Sequence, residues 1–156
     1  MKIETITAES RPMLYVTRPA AMEPADIAKV MGEAFGTMGA FLGKSGVKPV
    51  GPPLAVYHDW DAGSGKMKVD LGFPVAAADT PKAAGEIHAG TTPSGRALKT
   101  VHRGPYPKLQ ETYSELEGHM MKAGIPTPST AWEVYVSDPA KTPPDELLTE
   151  VYMPLQ

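Results

Sequence analysis

One carboxylate lies among aromatic residues near the C-terminal end of the sequence, in a strand-like run that holds Glu133 and Tyr135. Side chains of a strand alternate between its two faces, so these two residues would share one face. The same alternation in two other strand-like runs adds Tyr57 and Tyr152 to that face. A carboxylate ringed by tyrosines is typical of a site for a small molecule.

The chemistry of Glu133 narrows the class of ligand. An ionised carboxylate in an apolar site loses hydration, so it must be hydrogen-bonded, paired with a cation or protonated. A flat cationic molecule would neutralise the charge and would also lie against tyrosine faces. The alternative is that Glu133 points into solvent from an open sheet face, because charged residues are rarely buried without a partner.

Two tryptophans are further candidates. Trp60 lies in a loop-like segment between two aspartates, where it could form a lid over a cleft or simply pack locally. Trp132 alternates with Glu133, and we expect it to face the helices as part of the core. The apolar residues that alternate in the last strands are expected to face the helices too: Val134, Val136, Val151 and Met153.

Two amphipathic helices must position these residues. Apolar residues recur at helical spacing over residues 27–42, and Gly46 follows as a stop signal. The second helix opens at Pro107, carries its apolar stripe over residues 109–120 and ends at Gly124. Neither helix is stable alone, so each must bury its stripe against a sheet.

Strand patterns surround both helices and give the order β-α-β-β twice. The six predicted strands are residues 13–17, 54–58, 68–73, 97–103, 132–136 and 149–153. The sequence therefore predicts an α+β fold built by tandem duplication, in which a mostly antiparallel sheet carries both helices on one face and a ligand cleft on the other. We expect one domain over residues 1–156, with pseudo-repeats of about 1–78 and 83–156.

Composition excludes several classes of function. The net charge is −3, and no run of Lys or Arg exceeds two residues, which argues against direct binding of nucleic acid. The chain has no cysteine, so disulfides and thiolate chemistry are absent. No apolar run is long enough to cross a membrane, and the N-terminus lacks the apolar segment of a signal peptide, so we expect a cytoplasmic protein.

Several other short motifs resemble functional sites but lack residues that those sites require. The glycines and lysine of residues 63–66 resemble part of a phosphate-binding loop but lack its first glycine and its Ser/Thr, so we interpret them as a turn. His58, Asp59 and Asp61 fit no recognised metal spacing. His88 and His102 are isolated, and each is interpreted as a surface or internally satisfied histidine. We therefore expect no metal and no cofactor.

The order of motifs resembles the GyrI-like small-molecule-binding domain, which is also the effector-binding domain of multidrug-sensing and AraC-type regulators. The resemblance rests on residues 54–59 (LAVYHD), 101–106 (VHRGPY) and 132–139 (WEVYVSDP). It implies a stand-alone member with the ligand between two β-α-β-β units. It also implies that Glu133 is the central acidic residue, that Tyr57 and Tyr135 are aromatic positions, and that Tyr106 borders the pocket. Alternatively, Tyr106 anchors the start of the second helix.

Two functions follow from this pattern, and the residues do not separate them. The favoured one is a module that binds a drug, toxin or effector, on its own or as a sensor for a regulatory protein partner. The alternative, implied by the same resemblance, is a metal-independent hydrolase that adds water to a reactive electrophile. Glu133 would then be the general base, and Tyr106 or Tyr135 would donate the proton. Docking of a protein is a third role, which would require an exposed apolar patch.

Overall fold

The computed structural model describes residues 2–21, 23–61 and 63–155. Eight strands and two long helices confirm the α+β prediction. The elements are β1 (Glu4–Ala8), β2 (Pro12–Ala21), α1 (Pro24–Ser45), β3 (Leu54–Asp61), β4 (Lys66–Pro74), β5 (His88–Thr91), β6 (Gly95–Arg103), α2 (Leu109–Ala123), β7 (Ala131–Tyr135) and β8 (Leu148–Pro154).

The strands form one antiparallel sheet in the order β1-β6-β8-β7-β3-β4-β2-β5. The series β2-α1-β3-β4 in the first half corresponds to β6-α2-β7-β8 in the second. Strands β1 and β5 are counterparts as well. Replacing each strand in the sheet order by its counterpart in the other half gives the same order read backwards. The two halves therefore meet at the β3–β7 pair, in the middle of the sheet.

Strands β1 and β5 were not predicted. Both are short, and all of their residues are exposed or half-buried, so neither has a clear apolar alternation. Each pairs with the other half: β1 with β6, and β5 with β2. The two halves thus exchange their outer strands.

This exchange requires the sheet to curl. In a flat sheet, β1 and β2 would lie about 29 Å apart, six spacings of about 4.8 Å. The chain from Ala8 to Pro12 reaches only about 14 Å when fully extended. The two edges must therefore approach each other. The connectors β1–β2 and β5–β6 run side by side there, and Arg11 and Thr92 bond to each other through two hydrogen bonds of 2.8 Å.

Both helices pack on the same side of the curled sheet. Ala34 and Met38 of α1 are fully buried against the first half, and Leu116 and Met120 of α2 are fully buried against the second. α2 begins at Leu109, after a short 3-10 turn at Tyr106–Lys108, and not at Pro107 as the sequence suggested. Among the described residues, no helix is long and apolar enough to cross a membrane.

Candidate functional site

Glu133 lies at the centre of the sheet. It pairs with Ala55 of β3 on one side and with Val151 of β8 on the other. Residues paired across antiparallel strands project to the same face. Val151 packs with Leu116 of α2, so this row faces the helices. The side chain of Glu133 is only 3% exposed.

The face assigned to Glu133 from sequence was therefore wrong. The carboxylate lies under the helices and not on the opposite face, because Tyr113 of α2 contacts it directly. The error came from Val134 and Val136, which were assigned to the helix side because they are apolar. The face of the sheet away from the helices is the concave face of the curl, and it also needs apolar residues. Val134 is on that face, and Val136 follows β7 and is 47% exposed.

Three tyrosine hydroxyls donate hydrogen bonds to Glu133. Tyr113 donates to Oε2 at 2.6 Å, and Tyr135 donates to Oε1 at 2.6 Å. Tyr57 reaches the same Oε1 at a longer 3.4 Å. Short O–H···O⁻ bonds of this kind are charge-assisted and stronger than neutral ones. Both carboxylate oxygens are thus held in place by rings from β3, α2 and β7.

Burial governs the proton equilibria of this cluster. It raises the pKa of Glu133 above its ordinary value, although the hydrogen bonds from Tyr113, Tyr135 and Tyr57 act in the opposite direction. Burial, followed by the charge of Glu133, raises the pKa of each of these tyrosines well above its ordinary value. The hydroxyls therefore remain protonated donors at neutral pH.

Apolar and aromatic groups form the walls around the carboxylate. Sδ of Met31 lies 3.8 Å from the hydroxyls of both Tyr57 and Tyr135. The rings of Phe35 and Tyr106 meet Tyr135 edge-on, with centroids 6.0 Å and 5.7 Å away. Tyr106 is partly exposed, so this wall reaches the surface.

Two of the sequence-predicted residues lie elsewhere. Tyr152 is on the concave face, stacked on Trp132 with centroids 4.9 Å apart and an interplanar angle of 5°. Trp132 is buried, as expected, but on the side away from the helices. Trp60 is 46% exposed at the end of β3. The structure thus brings Tyr57, Tyr106 and Tyr135 to Glu133 but not these other two candidates.

The concave face contains a separate groove of about 350 Å³. Three of its polar side chains form a connected group: Glu150 accepts a hydrogen bond from Tyr152 at 2.9 Å and forms a salt bridge of 3.1 Å with Lys99. Glu150 is therefore a carboxylate whose charge is already neutralised, in contrast to Glu133.

Sequence reasoning missed several residues of the site. Tyr113 lies within the predicted apolar stripe of residues 109–120, which indicates no polar role, although a tyrosine facing a sheet needs a partner for its hydroxyl. His102 is buried and bonds Thr112 at 2.7 Å, which fits the satisfied-histidine alternative. Thr149 pairs across the strands with both His102 and Tyr135. Among the described residues, its hydroxyl is the one fully buried hydroxyl that has no hydrogen-bond partner.

No group of His, Asp or Glu in the described ranges is arranged to hold a metal ion. The cluster around Glu133 consists of one carboxylate, three phenols and a thioether. Such a set can receive a cation or exchange a proton.

The comparisons with known proteins agree with this architecture. The model of the GyrI-like small molecule binding domain matches residues 1–156. The chain belongs to the GyrI-like family. No curated protein sequence matches this GyrI-like domain.

Solved structures share the fold over nearly the whole domain. The crystal structure of the EcmrR C-terminal domain is similar with a TM-score of 0.81 and 19% identity, covering 99% of this chain and 97% of that one. SAV2435 bound to tetraphenylphosphonium has a TM-score of 0.69 and 15% identity, covering 100% and 94%. A hydrolase from Listeria innocua has a TM-score of 0.61 and 16% identity, covering 99% and 92%.

Proposed function

We propose that this GyrI-like domain binds an organic cation with aromatic groups at Glu133. The observation that carries the proposal is a buried carboxylate whose hydrogen-bond partners are all neutral. Three tyrosines donate hydrogen bonds to it, and no Lys or Arg of the described residues affects its pKa. The charge of His102 lowers that pKa, but the hydrogen bonds of His102 go to Thr112 and Pro105 and not to Glu133. A buried negative charge without a cation is costly, and a bound cation would offset that cost.

The walls of the site suit such a ligand. Tyrosine faces attract cations, and Met31 and Phe35 offer apolar contact of adaptable shape. The structural similarity to SAV2435, whose bound tetraphenylphosphonium is a cation carrying four aromatic rings, supports the same class of ligand. Because Glu133 is 3% exposed, the ligand must displace part of the wall, and the partly exposed Tyr106 lies where that wall meets solvent.

Calorimetry with one charged and one neutral aryl phosphorus compound tests the proposal. Tetraphenylphosphonium carries the charge, and triphenylphosphine oxide does not. We expect Glu133→Gln to weaken binding of the cation by about 3 kcal/mol, the attraction between unit charges about 5 Å apart at an effective dielectric constant of about 20, and to leave the neutral probe unaffected.

Glu150→Gln is the matched control, because it removes a carboxylate that Lys99 already neutralises on the other face. It should change the affinity for neither probe. Equal affinity of wild type and Glu133→Gln for tetraphenylphosphonium would rule out the central carboxylate as the cation site.

Hydrolysis is the second candidate function. It is favoured by the raised pKa of Glu133, since a general base works best with a pKa near neutral pH. Water would attack a carbon of a strained ring and give its proton to Glu133. The ring bond would break, and its leaving atom would take a proton from a tyrosine, with Tyr106 or Tyr135 as candidate donors. The proton on Glu133 then returns to the tyrosinate, which restores the site, and the product is the substrate plus one water.

Mass spectrometry of the protein incubated with a simple epoxide separates the two functions. A product heavier by one water, formed by wild type and lost in Glu133→Gln, would identify a hydrolase. Recovery of the epoxide unchanged, together with binding of tetraphenylphosphonium, would support a binding module. A cytoplasmic location and a regulatory protein partner stay predictions.

A further inference from the structure

His102 joins three elements beside the candidate site. It lies on β6, is 6% exposed and pairs with Thr149, which in turn pairs with Tyr135. Its Nδ1 is 2.7 Å from Oγ1 of Thr112 in α2, and its Nε2 is 3.2 Å from the carbonyl oxygen of Pro105. A carbonyl only accepts, so Nε2 carries the hydrogen. In the neutral ring Nδ1 then accepts from the threonine hydroxyl.

Each of these bonds leads to a tyrosine of the site. Thr112 precedes Tyr113, whose hydroxyl donates to Oε2 of Glu133. Pro105 precedes Tyr106, whose ring packs edge-on against Tyr135. The imidazole therefore holds the start of α2 and the turn before it in one fixed relation.

The turn itself depends on a second constraint. Gly104 has a φ of +134°, a conformation that other residues rarely adopt, and its N–H donates to the carbonyl of Leu147 at 2.8 Å. The chain thus leaves β6 in a direction that glycine adopts without strain and that other residues rarely adopt. The bond from His102 to Pro105 is the side-chain contact that fixes where Tyr106 begins.

We propose that His102 is a positioning residue of the Glu133 site, acting on Tyr113 through Thr112 and on Tyr106 through Pro105 without touching the ligand. The register places Arg18 at the equivalent position of the first half, because Arg18 pairs with Val69 of β4 as His102 pairs with Thr149 of β8. Arg18 binds Glu33 and Glu86, whose side chains are more than half exposed. That link leads to the surface, whereas the link through His102 leads to the carboxylate.

Nuclear magnetic resonance of ring-labelled tyrosines tests this role without any ligand. We expect His102→Leu to shift the signals of both Tyr113 and Tyr106. Thr112→Val, which removes one hydroxyl and keeps the shape, should shift Tyr113 alone. His102→Gln should restore part of the wild-type spectrum, since an amide offers one donor and one acceptor. His119→Gln, on the same helix, is the control and should leave both signals in place.

Calorimetry with tetraphenylphosphonium adds a functional measurement that rests on the proposed function. His102→Leu should bind the cation about tenfold more weakly, the equivalent of about one net hydrogen bond, and His102→Gln should recover part of that loss. If wild type does not bind the cation, the proposed function fails, but the tyrosine spectra still decide the role of His102.

A folded His102→Leu protein with unchanged Tyr113 and Tyr106 signals would overturn the proposal. If His102→Leu does not fold, Thr112→Val decides. An unshifted Tyr113 signal in that variant would overturn the proposal, and a shift confined to Tyr113 would support it.

Discussion

The two halves of the domain differ most where they meet. When the sequence LAVY at residues 54–57 of β3 is aligned with WEVY at residues 132–135 of β7, Ala55 falls at the position of Glu133. The two residues also lie directly opposite each other across β3 and β7. Both are buried. One half contributes a methyl group and the other a carboxylate. Two carboxylates so close would repel each other, so the symmetric scaffold has room for one charge at its centre.

The residues around Glu133 also differ between the two halves, and the second half is again the more polar. Tyr57 and Tyr135 are equivalent, and both donate to Oε1 of Glu133, but at 3.4 Å and 2.6 Å. From the second half, α2 adds a third hydroxyl through Tyr113. From the first half, α1 adds the thioether of Met31. The second half of the duplicated fold thus forms a polar side of the site, and the first half forms an apolar side that faces it. This arrangement suits an asymmetric ligand.

Restoring symmetry at the centre should have the largest effect. In Ala55→Glu two carboxylates would compete for the same space, and the new one has no hydroxyl donors of its own. We expect the ionised side chain to lower the free energy of unfolding by about 3–5 kcal/mol, the range for an uncompensated buried charge. Urea denaturation at neutral pH measures it.

Ala55→Gln is the control, because it adds nearly the same volume without the charge. The gap between the two variants should narrow as the pH falls and the added carboxyl becomes protonated. Equal stability of the Glu and Gln variants at neutral pH would mean that the two positions do not share a dry environment.

The unequal hydroxyl bonds allow a finer comparison. Tyr113→Phe removes the one donor to Oε2 within the described ranges, and we expect it to cost about 1.5–3 kcal/mol of stability. Tyr57→Phe removes a longer bond to an oxygen that Tyr135 already occupies, so its cost should be under about 1 kcal/mol. Both changes delete one oxygen, and urea denaturation compares them directly. A larger loss in Tyr57→Phe would contradict the assigned geometry.

Sequence patterns were sufficient for the order of the two helices and the six predicted strands, and for placing Tyr57 and Tyr135 beside Glu133. The helical stripes are long and capped by glycine, and the strands that meet at the centre are apolar runs bounded by turns, so local signals sufficed. Glu133 and Tyr135 are two apart on one strand and must share a face. Tyr57 follows from its equivalence to Tyr135. These relations depend on neighbours in sequence or on the repeat.

What the patterns could not supply depends on contacts between distant segments. Alternation separates two faces of a strand but does not say which one the helices cover, and the curl of this sheet makes both faces apolar. That curl follows from β1 and β5, whose short exposed runs carry little signal. The role of Tyr113 requires the placement of α2 over Glu133, and that of His102 requires the turn at Gly104.

The pH dependence of stability should separate Glu133 from other carboxylates. Burial raises the pKa of Glu133 above its ordinary value of 4.5. Between pH 4.5 and the raised pKa, the folded state therefore keeps a proton on Glu133 that the unfolded state has released. The contribution of Glu133 to stability is therefore fully present below 4.5 and declines as the pH rises through the folded pKa. The decline is about 1.4 kcal/mol for each unit by which the pKa is raised.

Urea denaturation of wild type and Glu133→Gln from pH 4 to 8 tests this. The stability of wild type relative to the Gln variant should fall with rising pH and then level off. Glu150→Gln shows how much of any change comes from surface charge alone. A difference that rises with pH would mean that the hydrogen bonds from the tyrosines outweigh burial.

The smallest expected effects come from replacing glycines of the two helices with alanine. An added Cβ at Gly32, Gly36 or Gly39 of α1 would meet nothing within 4 Å, and the same holds for Gly118 of α2. Each change to alanine should raise the free energy of unfolding by about 0.5–1 kcal/mol, because glycine loses more backbone freedom in a helix. Gly46→Ala should instead lower it, since that residue ends α1 at a φ of +76°. Thermal unfolding measures all of these. Equal gains in the two helices would mean that both are regular helix at these glycines. A gain at Gly118 without any in α1 would show that α1 departs from regular helix in solution, on the side where Met31 covers the carboxylate.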